Sequence, residues 1–126
     1  MDSNSSLNIG KIGELSVAEY YKIQGYDIVA QNWRWSNKGE IDIITLNRKS
    51  NTLVICEVKT RKSDSVVRGR EAVNYKKQQK LRRLATVFLQ KNTIYSECDI
   101  RFDVADVIAD VELLKINKID LLENAF

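Results

Sequence analysis

Two short runs combine acidic and basic side chains at strand spacing, Gly39-Glu40-Ile41-Asp42 and Glu57-Val58-Lys59-Thr60-Arg61. The second follows Leu53-Val54-Ile55-Cys56, an apolar stretch of the kind found in strands buried on both faces. Charged side chains on such a strand are uncommon unless they are paired or hold an ion. Residues two apart on a strand share a face, so Glu57 and Lys59 point one way and Val58 into the opposite layer. Between the runs, Asn47-Arg48-Lys49-Ser50-Asn51-Thr52 is rich in turn residues and predicts a hairpin loop flanked by Leu46 and Leu53. Symmetric pairing about that loop sets Asp42 opposite Glu57 and Glu40 opposite Lys59, with Cβ atoms about 5 Å apart. Two carboxylates at that separation repel each other in water and can jointly hold a hard divalent cation. A slip of one residue would turn Asp42 away, so the inference is tied to this register.

Composition narrows the chemistry. Histidine is absent, which removes Ser-His and Cys-His nucleophilic pairs, imidazole bases and His-liganded zinc. The two cysteines, Cys56 and Cys98, are too few for an all-protein zinc site, and nothing in their placement calls for a disulfide. A metal would therefore be held by oxygen ligands, which points to magnesium, manganese or calcium. Gly10 and Gly13 fall inside a helical pattern and match no phosphate-cradling loop, so no nucleotide cofactor is expected. Between Lys59 and Arg83 there are ten Lys or Arg and two acids, a local balance of +8, whereas from Glu97 onward the balance is −5. A basic block beside candidate site acids suits a polyanion bound through its phosphates, nucleic acid above all. The competing reading of the block is a solvated helix face.

The elements that must position these residues follow from periodicity. A length of 126 residues suits a single domain, 1–126, with residues 1–6 expected to be disordered. A first helix is predicted from Leu7 to Gln24, with Ile9, Ile12, Leu15, Ala18 and Tyr20 or Tyr21 on its stripe and Gly25 as C-terminal cap. Strands are predicted at Tyr26–Trp33, Glu40–Leu46 and Leu53–Thr60, then a mobile loop from Lys62 to Gly69. A second helix spans Glu71 to Lys91, where Lys77 interrupts the apolar stripe Val73, Leu81, Leu84, Ala85, Phe88. A strand at Ile100–Ile108 and a short hairpin, Glu112–Leu122 around Asn117-Lys118, complete an α/β order. No apolar run approaches the roughly 20 residues of a membrane span, so no membrane partner is expected. The polar start Met1–Ser6 lacks the parts of a secretory leader, and a cytoplasmic location is the expectation.

This order, with an acid on the second strand and Glu-x-Lys on the third, resembles the PD-(D/E)xK nuclease superfamily. Within it, the chain is similar to the small bacterial YraN-type family of predicted endonucleases. The runs that carry the resemblance are Gly13-Glu14, Gly25-Tyr26, Asn32-Trp33-Arg34, Gly39-Glu40-Ile41-Asp42 and Glu57-Val58-Lys59-Thr60-Arg61. Lys77-Gln78 with Lys80-Leu81, Arg101-Phe102-Asp103-Val104 and Asn124-Ala125-Phe126 extend it over nearly the whole chain after residue 8. The superfamily's proline is missing: Ile41 precedes Asp42, and the chain contains no proline.

The resemblance implies an α/β, restriction endonuclease-like three-layer core with a mixed central sheet flanked by helices. It implies an endonuclease that hydrolyses phosphodiester bonds in nucleic acid, DNA being the expected one, with Mg2+ or Mn2+. On that pattern Asp42, Glu57 and the backbone carbonyl of Val58 hold the metal, and Lys59 orients the attacking water or stabilises charge on phosphorus. Glu14 joins the site; its other reading is an acid favoured by the helix dipole. Lys77 either snorkels to solvent or turns to phosphate or the site, and Arg61, Gln78 and Lys80 are expected on the nucleic-acid backbone. Glu40 is balanced between the site and an ordinary ion pair, Trp33 and Trp35 belong to packing, and Arg101 with Asp103 reads as a structural ion pair. Two alternatives accompany the endonuclease. One is a Holliday-junction-resolvase-like, structure-specific nuclease, which a two-fold homodimer would favour. The other is a catalytically inactive nucleic-acid-binding module with a nuclease fold, whose internal salt-bridge cluster would leave net negative charge partly buried.

Overall fold

A mixed five-stranded sheet carries one helix against each face. The computed structural model describes residues 5–62 and 73–126. In chain order it comprises α1 (Ser5–Ile23), β1 (Asp27–Arg34), β2 (Glu40–Asn47), β3 (Thr52–Lys62), α2 (Tyr75–Lys91), β4 (Asp99–Asp110) and β5 (Lys115–Leu122). The strands lie in the spatial order β1-β2-β3-β4-β5. Only β3 and β4 are parallel, and their crossover contains α2, as a parallel pair requires. The expected loop from Lys62 to Gly69, apart from Lys62 itself, and the expected first residues of the second helix lie outside the described residues. Of residues 1–6, the first four lie outside as well, and Ser5 and Ser6 open α1.

Local chemistry sets the helix ends. At the end of α1 the Gly25 N–H bonds the Lys22 carbonyl and the Tyr26 N–H bonds that of Tyr21, both at 3.0 Å. This double bond closes the helix through a left-handed residue, and Gly25 supplies it at φ +94°. Asn74 caps α2, its side chain accepting from the Lys77 N–H at 2.9 Å.

Each face of the sheet has its own core. Val17, Ala18 and Tyr21 of α1 pack on Ile43, Val54, Cys56, Val58, Ala105 and Val107. Leu81, Leu84, Ala85 and Phe88 of α2 pack on Ile41, Ile44, Leu53, Ile55 and Phe102. Burial of each large side chain contributes about 1.5–3 kcal/mol, which fixes both helices to the sheet. Trp33 stands edge-on to Phe88 with centroids 5.3 Å apart, the packing role expected of it. Leu15 departs from its expected place on the α1 stripe: it is exposed, because Val17, Ala18 and Tyr21 turn the buried face away from it.

The C-terminal hairpin exists, with a different turn from the one expected. Asn117 and Lys118 lie within β5, which pairs along β4 from Val104↔Leu122 to Asp110↔Lys115. The chain reverses at 111–114 instead, where the Asp110 carboxylate accepts the Leu113 N–H at 3.0 Å and Leu114 takes φ +50°.

Candidate active site

The site begins where the sheet opens. β2 and β3 pair from Asn47↔Thr52 to Ile43↔Cys56, the symmetric register expected from the loop. Beyond Cys56, β3 stays with β4 as far as Lys62↔Ala109, while β2 continues with β1 to Arg34↔Glu40. The two halves of the sheet part at Asp42. Ile41 and Ile43, two residues apart, pack in opposite cores, so the strand alternation is broken between them. Facing this break on β1, Asn32 adopts φ +52° between the pairs Gln31↔Ile43 and Trp33↔Ile41. The expected Glu40–Lys59 cross-strand pair therefore does not form. Glu40 lies opposite Arg34, whose guanidinium is 3.4 Å from it.

Asp42 fills the parting. Its Oδ2 accepts the Val58 N–H at 2.8 Å, a donor on the edge of β3 that β2 has left. Burial first, and the charge of Glu57 second, push the Asp42 carboxyl up to about 7; the Val58 N–H opposes the shift, and Glu14 and Glu40 add to it. Among the described residues no lysine or arginine lies within ion-pair distance of Asp42.

Glu14 reaches this point from α1. The helix approaches β3 closely at Gly13, where a Cβ would sit 2.2 Å from Thr60 Oγ1. Gly10, one turn earlier, has open space around it. Carboxylate oxygens of Glu14, Glu40 and Asp42 all lie within 4.8 Å of one another. Asn32 ties two of these acids together: its Nδ2 donates to Glu14 Oε1 at 3.0 Å and to Glu40 Oε2 at 3.1 Å. Its Oδ1 accepts from Lys11 at 2.7 Å, and that lysine is itself 3.9 Å from Glu14.

Glu57 is buried on the α2 side, its side chain 5% exposed, and both Lys59 and Lys77 stand 3.3 Å from its Oε2. Lys77 thus turns inward from the apolar stripe of α2 to a buried acid rather than out to solvent. The arrangement is uneven: Glu57 has two cations, Glu14 and Glu40 each have one at the rim, and Asp42 has none. The acids clustered with Asp42 are Glu14 and Glu40, whereas Glu57 acts on it by proximity of charge and gives its own oxygen to lysines. Val58 contributes its N–H to Asp42.

The residues expected on a nucleic-acid backbone separate. Arg61 makes a bidentate pair with Asp106 at 3.1 and 3.2 Å. Gln78 donates to the Val73 carbonyl at 3.1 Å. Lys80 lies along Gly39, at the turn between β1 and β2, with no carboxylate at ion-pair distance among the described residues. Arg101 and Asp103 form the structural pair expected: Asp103, fully buried, accepts from Arg101 at 2.9 and 3.0 Å, Tyr21 at 2.7 Å and the Asn124 N–H at 3.0 Å. Each oxygen of that acid accepts two hydrogen bonds. The residue without an assigned role in the sequence is Asn32, whose contacts need the left-handed backbone that asparagine tolerates better than most residues.

Fold and site together define a three-layer α/β domain with a carboxylate cluster at the mouth of a parting sheet. The chain belongs to the uncharacterised protein family UPF0102, the YraN-type group, whose model matches residues 13–107. That span contains Glu14, Asn32, Glu40, Asp42, Glu57, Lys59 and Lys77. The chain is 37% identical over 127 residues to a UPF0102 protein of Acetivibrio thermocellus, covering 99% of this chain and 95% of the relative. It is 39% identical to one of Alkaliphilus metalliredigens (96% and 99% covered) and 43% identical to one of Alkaliphilus oremlandii (94% and 97% covered). No helix among the described residues is long and apolar enough to cross a membrane.

Proposed function

We propose that this chain is a nuclease of the PD-(D/E)xK kind, hydrolysing phosphodiester bonds in nucleic acid, DNA foremost, with Mg2+ or Mn2+. The observation that carries the reading is Asp42, a half-buried carboxylate with three other acids acting on it and, among the described residues, no cation within ion-pair distance. Such an arrangement costs stability in the isolated chain, and a divalent cation relieves the cost. The donor set fits: Glu14, Glu40 and Asp42 offer hard oxygen ligands close together, with Glu57 adjoining, as magnesium and manganese favour.

When bound, the metal supplies Lewis-acid polarisation of a phosphate oxygen and a more acidic water. The chain's own residues do the rest. The Val58 N–H holds the Asp42 carboxylate in one orientation, and Asn32 holds those of Glu14 and Glu40. Lys59, fixed on Glu57, presents a positive charge beside the acids that can stabilise charge developing on phosphorus or orient the attacking water. Lys77 adds a second charge from α2 to the same acid.

The test is cleavage of labelled single-stranded, duplex, flap and four-way-junction DNA in manganese, magnesium or chelator. Wild type is compared with Asp42→Ala and Lys59→Ala. The proposal expects cutting that needs metal and is lost in both variants; absence of cutting on every substrate, with binding unchanged in the variants, would replace it with a binding module.

A further inference from the structure

Between the β1–β2 turn and the start of α2 lies a cavity of about 570 Å³. Lys38 comes from the turn, and Tyr75, Lys76, Lys77, Lys80 and Arg83 come from α2. Among the described residues no acidic side chain lines it. Lys77 joins the cavity to the site, since its ammonium shares Glu57 with that of Lys59. Among the described residues, Lys38, Lys76, Lys80 and Arg83 have no carboxylate within ion-pair distance. Four uncompensated cations converging on one concavity create a field that draws phosphate groups and repels cations. Tyr75 adds the unexpected element: its side chain is 74% exposed although it lines a cavity. An exposed ring among cations offers a stacking face.

We propose that this cavity binds an unpaired nucleotide of the nucleic-acid substrate, its phosphates on Lys38, Lys76, Lys80 and Arg83 and its base on Tyr75. The inference deepens the nuclease reading and rests on it for the link to the site through Lys77 and Glu57. The volume falls in the range of roughly 300–1,000 Å³ typical of small-ligand sites, which admits one nucleotide and not a duplex. In a duplex the base faces are stacked on their neighbours, whereas an unpaired base presents its face to an aromatic side chain. The substrate class that follows is single-stranded nucleic acid, or a duplex with a frayed, flapped or looped-out nucleotide.

The experiment is binding in chelator, by fluorescence anisotropy, of a labelled oligothymidylate and of a blunt duplex of equal length to the full chain. Single strand is expected to bind at least about tenfold tighter. Tyr75→Ala is expected to weaken single-strand binding by about 5- to 150-fold, the range for loss of one stacked base. The same change leaves duplex binding nearly unaffected, and Tyr75→Trp retains the preference. Lys38→Ala with Arg83→Ala is expected to flatten the salt dependence by roughly 0.7 log units per lost phosphate contact. Equal affinity for both DNA forms, no effect of Tyr75→Ala, or equal binding of polyglutamate would overturn the proposal. Because no cutting occurs in chelator, the two readings fail separately. A protein that shows the Tyr75-dependent preference yet never cleaves refutes the nuclease and leaves this subsite; one that cleaves without the preference does the reverse.

Discussion

Replacing Asp42 by asparagine should make the metal-free protein more stable while removing its proposed function. The Asp42 carboxyl is raised from 3.8 to about 7, chiefly by burial and then by Glu57. The folded chain therefore holds this proton more tightly than the unfolded chain does. Below about pH 4 both states are protonated and Asp42 costs nothing. As the pH rises to 7 the unfolded chain has lost the proton and the folded chain still holds it, so stability falls; above 7 the loss is complete. A shift of about three units corresponds to about 4 kcal/mol. Asparagine keeps an oxygen to accept the Val58 N–H and removes the charge. At pH 8 Asp42→Asn should then be more stable by up to about 4 kcal/mol, a rise in melting temperature on the order of 15 °C for a chain of this length. At pH 3.5 the two proteins should melt together. The assay is thermal and urea denaturation of both proteins from pH 3.5 to 8.5 in chelator, where the difference reports Asp42 together with the acids that act on it, Glu57 first. Adding Mn2+ at pH 8 should narrow the gap by stabilising wild type alone. An Asp42→Asn protein no more stable than wild type at pH 8, or a gap independent of pH, would refute the reasoning.

Three further outcomes follow from the same geometry. Gly13→Ala drives a Cβ into Thr60 Oγ1 and should destabilise by about 1–3 kcal/mol in urea denaturation. Combined with Thr60→Ala it should recover fully, since alanine is the better helix former by about 1 kcal/mol; a single variant as stable as wild type would show that α1 does not press on β3. Asn32→Gly tolerates the positive φ but cuts the bonds to Glu14 and Glu40, and should weaken Mn2+ binding by calorimetry about 10- to 100-fold with little change in melting temperature. Asp103→Asn, which breaks the pair of the fully buried Asp103 with the part-buried Arg101, should cost about 3–5 kcal/mol and leave Mn2+ affinity unaltered.

Much of the scaffold could be read from the chain because strong local signals agreed with the tertiary solution. The polar loop 47–52 between two apolar strands set the β2–β3 register as far as Ile43↔Cys56, and the ladder stops there, one residue short of the expected Asp42–Glu57 pair. Lys77 stood out as a charge on an apolar stripe, and it does meet a buried acid. The errors arose where pairing or packing overrode propensity. Asn117-Lys118 has turn composition, yet β4 pairs with Lys118 and Ile116 on either side of an irregularity at Asn117, and Asp110 makes the turn earlier. Leu15 fits a helical stripe, but the buried arc of α1 is set by what the sheet presents to it. Asn32 was silent because its role depends on a left-handed backbone and on acids and a lysine from two other elements. The cavity at Tyr75 joins a turn to a helix start 36 residues further on, a proximity that no local pattern encodes.

The most direct test of the central claim is a paired measurement on wild type and Asp42→Asn: Mn2+ binding by calorimetry and single-turnover DNA cleavage, on samples whose melting curves establish that both are folded. The account predicts Mn2+ binding and metal-dependent cleavage in wild type, and loss of both in a variant that is more stable. Cleavage that persists in Asp42→Asn, or that proceeds in chelator, would contradict it.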